Sequence, residues 1–151
     1  MKIFQINSVC GVRSTGRIVT DICTRLRAAG HDCIMAYGRD ESANCGGDAF
    51  KFNTRAGVYA DALLSRITGK AGCFSTHATK RLLSEIDRYN PDVVHLHNLH
   101  GYYVNAFMLV RELARRKKPV VWTLHDCWPF TGHCAYFDKY GCDKWKSLCR
   151  D

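Results

Sequence analysis

Four histidines lie at or just beyond the ends of two short apolar runs, residues 93–96 and 120–124: His95, His97, His100 and His125. Apolar runs of this length, separated by an amphipathic segment, are typical of buried parallel strands. The carboxyl ends of parallel strands meet at one edge of a sheet, and ligands of open α/β sheets bind there. We therefore expect the histidines to gather at one ligand site, although His95 alternates with His97 and could instead face the covering helices.

The first apolar run covers residues 2–6, and a second candidate site lies in the loop that follows it. The residues of interest in this loop and the start of the next helix are Gly11, Ser14, Thr15, Gly16 and Arg17. Free backbone N–H groups at a helix N-terminus, with arginines alongside, suit a phosphate or another anion. The loop is neither GxGxxG nor a P-loop, so no motif supports a dinucleotide or ATPase function. A tight connection that needs glycine only for its geometry is the alternative.

The segment 127–149 is rich in cysteine and aromatic residues. Its cysteines are separated by six, seven and six residues: Cys127, Cys134, Cys142 and Cys149. Four thiolates suffice for a tetrahedral structural zinc site, with His133 as a substitute ligand. The closely spaced cysteine pairs of zinc ribbons are missing, so unligated thiols remain the other interpretation. The aromatic side chains could form a platform for a sugar or pack beneath a loop.

Composition places the chain among ordinary globular proteins. With 151 residues, of which 46% are hydrophobic and 24% charged, it is expected to form one domain, residues 1–151, with its own core. No apolar run is long enough to span a bilayer, and the N-terminus lacks the pattern of a signal peptide. We therefore expect a cytoplasmic protein. Its remaining cysteines are then expected to be free thiols: Cys10, Cys23, Cys33, Cys45 and Cys73.

The net charge of +8 is explained in large part by basic residues on solvated helix faces. The functional alternatives are an anionic partner, either a membrane surface or a phosphorylated ligand. Nucleic acid is disfavoured because no zinc finger, RNP motif or recognition helix is found.

Strand-like and helix-like segments alternate along the chain, which predicts an α/β fold made of βαβ units with a mainly parallel sheet. Strands are expected at residues 2–6, 33–37, 93–96 and 120–124, with a short one near Phe50 and Phe52. Helices are expected after the glycine-containing loop, with Ser14 or Thr15 as N-cap, and at residues 55–68, 77–89 and 102–117.

Three stretches in this order, NSVCGVRSTGRIV, PDVVHLHNLHGYY and TLHDCWPFTGHC, resemble family 4 glycosyltransferases. The similarity extends over essentially the whole chain. More narrowly, the chain looks like the bacterial members that build capsule, exopolysaccharide or O-antigen. The resemblance implies the GT-B architecture, in which two Rossmann-like domains enclose the active site. It also implies sugar transfer from a nucleotide-sugar donor with retention of configuration, and chemistry that requires no metal or other cofactor.

By this resemblance the chain is the N-terminal, acceptor-side domain, with a Rossmann-like, mainly parallel sheet and helices on both of its faces. His125 corresponds to the family's histidine beside the donor sugar and is expected to hydrogen-bond to sugar hydroxyls or to developing charge. The loop at residues 11–17 would face the donor diphosphate. His97, Asn98 and His100 would bind the acceptor or shape the cleft. From the residues themselves, Asp126 could orient His125, bind acceptor hydroxyls, or be a surface carboxylate without a role. The expected partners are a nucleotide-sugar donor, a glycan or lipid-linked acceptor, and the inner face of a membrane as a peripheral contact.

The resemblance does not extend to the family's second, donor-binding domain. We therefore expect this chain alone to be a poor catalyst, either as a truncated product or as half of a split enzyme that pairs with a separate donor-binding domain. Two other hypotheses stay open. One is a non-catalytic module that binds a glycan or phosphorylated ligand, or docks onto a catalytic subunit. The other is a Rossmann-like protein stabilised by zinc at the cysteine cluster.

Overall fold

The computed structural model describes residues 1–39, 42–45, 48–132 and 134–147. The strands are β1 (Lys2–Asn7), β2 (Asp32–Tyr37), β3 (Ala49–Lys51), β4 (Val93–Leu96) and β5 (Val120–Trp122). The helices are α1 (Arg13–Ala28), α2 (Arg55–Thr68), α3 (Thr76–Tyr89), α4 (Ala106–Arg115) and the short α5 (Trp128–Thr131). Two single-turn 3-10 helices follow at Asp138–Tyr140 and Lys144–Lys146.

All five strands pair in parallel, in the order β3-β2-β1-β4-β5. After β1, the strands β2 and β3 are added on one side of it, and β4 and β5 are then added on the other side. The sheet therefore changes its winding direction between β1 and β4. In open α/β sheets, such a switch point leaves a crevice beyond the carboxyl ends of the two strands. This topology confirms the predicted Rossmann-like fold.

Helices cover both faces of the sheet because side chains alternate along each strand. On one face, Phe4 and Ile6 of β1 pack in the main core with residues of α3 and α4, among them Leu82 and Leu109. On the other face, Ile3 packs with Cys23 of α1 and Cys33 of β2. The predicted arrangement of helices on both faces is therefore confirmed.

Two polar residues of strand β1 are fully buried, Gln5 and Asn7. Asn7 donates from Nδ2 to the Val9 carbonyl at 2.9 Å, and its Oδ1 accepts the backbone N–H of Asn98 at 3.3 Å. One side chain thus ties the loop after β1 to the loop after β4. Buried polar groups need such partners, and here the partners fix the backbone on both sides of the switch point.

Several predicted boundaries are corrected by the structure. Helix α1 begins at Arg13, so Ser14 and Thr15 lie in its first turn, and the N-cap is Val12 without a side-chain cap. Helix α4 begins at Ala106 rather than at residue 102, because Asn105 caps it by accepting the Met108 N–H at 2.9 Å. No helix in the described ranges has the length and apolarity required to cross a bilayer.

The expectation of free thiols is wrong for Cys10 and Cys45, which form a disulfide. A β-bridge pairs Cys10 with Ser42, and the Ala43 N–H donates to the Cys10 carbonyl at 3.0 Å. These contacts bring the two cysteine Cα atoms within 5.6 Å, a separation that suits a disulfide. The bond links the loop after β1 to the segment after β2. The other three cysteines of this group are free: Cys23, Cys33 and Cys73.

Candidate functional site

A cleft of about 450 Å³ opens at the switch point, where the loops after β1, β4 and β5 converge with the first turn of α1. Six of the predicted site residues line it: Ser14, Thr15, Asn98, His100, His125 and Asp126. They come from three separate parts of the sequence and meet because the carboxyl ends of β1, β4 and β5 lie at one edge of the sheet. The cleft has the position and the mixed polar lining of a ligand site in an open α/β sheet.

The glycines of the predicted anion loop shape the backbone and do not line the cleft. Gly11 has φ +65°, and a Cβ atom there would lie 1.6 Å from the Ala43 carbonyl oxygen. Gly16 is buried in α1, with Val9 and Gly11 close to the position of a Cβ atom. Arg17 is exposed outside the cleft lining. The first turn of α1 presents Ser14 and Thr15 to the cleft instead.

His97 was predicted to bind substrate, but the structure places it behind the cleft. Its side chain is 1% exposed, because it lies on the face of the sheet that α1 covers. The ring nitrogens face two side chains: Nε2 lies 3.0 Å from Gln5 Oε1, and Nδ1 lies 3.1 Å from His125 Nε2. His97 therefore does not contact a ligand directly. It contacts His125, which lines the cleft.

Burial keeps His97 neutral. Desolvation of the ring, reinforced by the neighbouring His95 and His125, lowers the pKa of His97 to about 3. The His95 ring lies against the His97 ring, tilted by 37° with centroids 4.0 Å apart, and its Nε2 lies 2.8 Å from Thr123 Oγ1. Burial also lowers the pKa of His95. His95 does not line the cleft, in contrast to His100 and His125.

Asp126 pairs with His100, whereas one of its predicted roles was to orient His125. Its Oδ2 lies 2.7 Å from His100 Nε2, while its Oδ1 accepts the backbone N–H of Trp128 at 3.0 Å. The carboxylate is 5% exposed, whereas His100 is 36% exposed. The pair holds the imidazole of His100 at the cleft surface, where its remaining ring nitrogen can interact with a ligand.

Two arginines give the cleft a positive lining, Arg13 at the start of α1 and Arg39 after β2. Arg39 was not predicted as a site residue, although its place just beyond a strand end was a usable signal. Its backbone N–H donates to the Ser8 carbonyl at 2.9 Å, which anchors it beside the loop after β1. Guanidinium groups in this position can bind phosphate oxygens. Gln5 was also missed; its signal was a polar residue within an apolar strand.

The proposed zinc ligands cannot be assembled from the described residues. Cys149 and the substitute His133 lie outside them, and Cys127, Cys134 and Cys142 are free thiols. In the described part of the chain, no group of three or more histidine, cysteine or acidic residues is arranged to hold a metal. The described cysteines therefore do not fit a zinc ion by themselves, and the complete four-cysteine site stays a prediction.

Aromatic residues of the same segment pack mainly on one another. The Phe130 ring centroid lies 5.7 Å from that of Phe137 and 5.4 Å from that of Trp145, and the last two rings are 5.0 Å apart. Tyr136 lies between them in sequence and lines the cleft. The structure thus favours packing for this trio, and Tyr136 is the described aromatic residue of this segment that lines the cleft.

Comparisons with known proteins identify the family through one family model. The model of Glycosyltransferase Family 4 matches residues 15–150 of this chain. The putative colanic acid biosynthesis glycosyl transferase WcaC of Escherichia coli (strain K12) is 46% identical over 65 residues, which cover 40% of this chain and 16% of that protein. The chain therefore matches only a small part of that relative's length. The crystal structure of SsfS6, a glycosyltransferase of Streptomyces sp. SF2575, aligns with 83% of this chain and 40% of its own, at 17% identity and a TM-score of 0.45.

Proposed function

The chain belongs to glycosyltransferase family 4, and we propose that it is the acceptor-side domain of a retaining, GT-B-type enzyme that uses a nucleotide-sugar donor. The acceptor in this proposal is a glycan or lipid-linked saccharide in surface polysaccharide synthesis. The relative named for colanic acid biosynthesis supports a polysaccharide product. The observation that carries the proposal is the switch-point cleft, which combines His125, the His100–Asp126 pair and two arginines.

The polar side chains of the cleft suit sugar hydroxyls, which both donate and accept hydrogen bonds. Asn98 offers an amide with donor and acceptor atoms, and the His100–Asp126 pair offers an imidazole held in place. His125 lies on the loop after β5 and takes the role of a hydrogen-bonding group beside the transferred sugar. A fixed group of this kind stabilises charge that develops during transfer without reorganising.

The positive side of the cleft suits the donor diphosphate. Arg13 is the first residue of α1, and Arg39 lines the same cleft; the leading backbone N–H groups of a helix have no acceptor within the helix itself. Guanidinium groups and helix N-termini both favour anions. In the proposed reaction they stabilise negative charge on the leaving nucleoside diphosphate, so the chain's own residues supply this stabilisation without a metal.

In this proposal, the nucleotide is bound by the second, donor-binding domain of the GT-B architecture. The described strands form a single sheet, and the cleft contains one side of the proposed active site. We therefore expect this chain alone to bind acceptor saccharides or the diphosphate weakly and to turn over donor poorly. Ordinary sugar-transfer rates from the isolated chain would contradict this part of the proposal.

An exposed apolar stripe on α2 supports a peripheral membrane contact near a lipid-linked acceptor. Tyr59, Leu63 and Ile67 lie four residues apart on one side of the helix and are 62%, 60% and 72% exposed. Arg55 lies over the Tyr59 ring at 5.7 Å. An apolar stripe beside basic residues, in a chain of net charge +8, suits the surface of an anionic bilayer.

A thermal-shift experiment tests the proposed function. The chain is heated with a panel of nucleotide sugars, oligosaccharides and undecaprenyl-linked saccharides, because a ligand that binds the folded state raises the melting temperature. We expect stabilisation by an oligosaccharide or a lipid-linked saccharide, reduced by His125→Ala and retained by His77→Ala, which changes an exposed histidine on α3. A cooperatively folded chain that responds to no member of the panel would contradict the proposal.

A further inference from the structure

Gln5 is a fully buried amide whose orientation is set by its surroundings. Its Nε2 lies 3.3 Å from the Val19 carbonyl oxygen of α1 and 3.2 Å from the Cys33 sulfur of β2. A carbonyl oxygen can only accept a hydrogen bond, so the amide nitrogen must face it. The amide oxygen of Gln5 is therefore directed at His97 and presents an acceptor to that ring.

This acceptor determines which nitrogen of His97 carries the proton. His97 Nε2 lies 3.0 Å from Gln5 Oε1 and must donate to it. A neutral imidazole has one N–H group, so His97 Nδ1 is left as an acceptor. The low pKa of the buried His97 ring agrees with a neutral state. The partner of Nδ1, His125 Nε2 at 3.1 Å, must then donate.

We propose that Gln5 and His97 are positioning residues that hold His125 in the tautomer protonated at Nε2, so that His125 offers Nδ1 as a hydrogen-bond acceptor to a hydroxyl group in the cleft. His125 lines the cleft, and within the described residues Nδ1 has no hydrogen-bond partner. The assignment of the hydroxyl to a sugar rests on the proposed function. The assignment of the tautomer rests only on the buried side chains of Gln5 and His97.

The proposal divides ligand recognition between two kinds of group. A neutral Nδ1 has a lone pair, which attracts a hydroxyl proton and repels a phosphate oxygen. The anionic part of a ligand is therefore directed to the arginine side of the cleft, where Arg39 lies. A saccharide in which the contacted hydroxyl is replaced by hydrogen or a methoxy group would lose the hydrogen bond to His125, while its charged contacts would stay the same.

The test uses long-range ¹H–¹⁵N NMR spectra of the chain labelled with ¹⁵N-histidine, which report the protonated nitrogen of each neutral ring. Spectra are recorded without ligand at about pH 8.5, above the ordinary histidine pKa of about 6.5. We expect His125 and His97 both to be protonated at Nε2. A wild-type spectrum that shows His125 protonated at Nδ1, or as an even mixture, overturns the proposal without any variant.

Three variants test whether the buried pair is the cause. Gln5→Met removes the acceptor without touching His125, and we expect a second tautomer of His125 to appear. His97→Leu removes the direct partner and should do the same, whereas His97→Asn places an acceptor oxygen near the position of Nδ1 and should retain the Nε2–H form. If His125 keeps a single tautomer in both Gln5→Met and His97→Leu, the positioning role is refuted.

These outcomes are distinguishable from failure of the proposed function. The tautomer is read from the free protein, so a chain that binds no saccharide can still show the Nε2–H form of His125. Should His97→Leu fail to give a folded spectrum, the wild-type reading and Gln5→Met decide the result. Conversely, saccharide binding by a chain whose His125 is protonated at Nδ1 would support the proposed function and refute the positioning role.

Discussion

His97 Nδ1 lies 3.1 Å from Nε2 of His125, so a buried ring directly supports a ring at the cleft surface. The two residues are 28 positions apart and follow neighbouring parallel strands, β4 and β5. Their contact depends on the strand register, in which Leu96 pairs with Trp122. The register of the sheet therefore fixes the position of His97, and His97 in turn supports the ring of His125 at the cleft surface.

The buried state of His97 should make stability depend on pH. Its pKa of about 3 in the folded protein lies below the ordinary value of about 6.5 expected in the unfolded chain. The contribution of neutral His97 to the free energy of unfolding is therefore fully present above pH ~6.5. It is lost as the pH falls towards ~3, at up to about 1.4 kcal/mol per pH unit. Urea unfolding between about pH 4 and 8 should show a shallower dependence for His97→Asn than for wild type. Parallel curves would contradict a neutral His97.

The glycine at position 11 should resist substitution more than a comparable glycine elsewhere. Gly11 and Gly69 have similar positive φ angles, +65° and +71°, but only Gly11 has backbone where a Cβ would lie. Gly69→Ala should cost about 1–2 kcal/mol, the ordinary cost of a left-handed alanine. Gly11→Ala should cost several times that amount or displace the segment around Ala43. If chemical denaturation shows that both variants lose the same free energy of unfolding, the contact with Ala43 does not determine the cost of substitution at Gly11.

The Cys10–Cys45 disulfide should stabilise the chain by restricting its unfolded state. The cysteines are 35 residues apart, and closing a loop of this length contributes roughly 3–4 kcal/mol. Cys45→Ser should lower the free energy of unfolding by about that amount in oxidising buffer and by little once the wild type is reduced. Cys73→Ser, which changes a free thiol, is the control. Identical stability of wild type and Cys45→Ser in oxidising buffer would contradict the bond.

The positive side of the cleft should bind diphosphate through Arg39. Loss of one charge-assisted hydrogen bond costs about 1.5–3 kcal/mol, so Arg39→Met should weaken pyrophosphate binding at least about tenfold by calorimetry. Arg88→Met is the matched control, because Arg88 is 75% exposed and paired with Glu85 near the end of α3, which precedes β4 and lies away from the cleft. Equal weakening by both changes would indicate an effect of net charge alone.

Much of the fold follows from local sequence patterns. Helix α2 and strand β4 have the bounds predicted for them, residues 55–68 and 93–96. Apolar runs separated by amphipathic segments also predict parallel strands, and that is enough to place the loops of His100 and His125 at one edge. Periodicity defines which face of an element is buried, and the alternation of elements defines how strands connect.

The remaining features depend on partners that local patterns do not specify. Gln5 and His97 are 92 residues apart, and their contact requires the register in which Gln5 pairs with His95. The Cys10–Cys45 bond likewise depends on a bridge between two loops. For the same reason, sequence alone could not show that Asp126 pairs with His100 instead of His125. Side-chain pairing across a sheet is a property of the tertiary structure.

The most direct test of the central claim is a saturation-transfer NMR titration of oligosaccharide and lipid-linked acceptors with the wild-type chain and His125→Ala. If the cleft is the acceptor side of a glycosyltransferase, an acceptor saccharide should bind saturably to wild type, and His125→Ala should weaken it by about tenfold, the value of one well-placed hydrogen bond. Saccharide binding that is unaffected by His125→Ala, or no binding by a folded chain, would contradict the account.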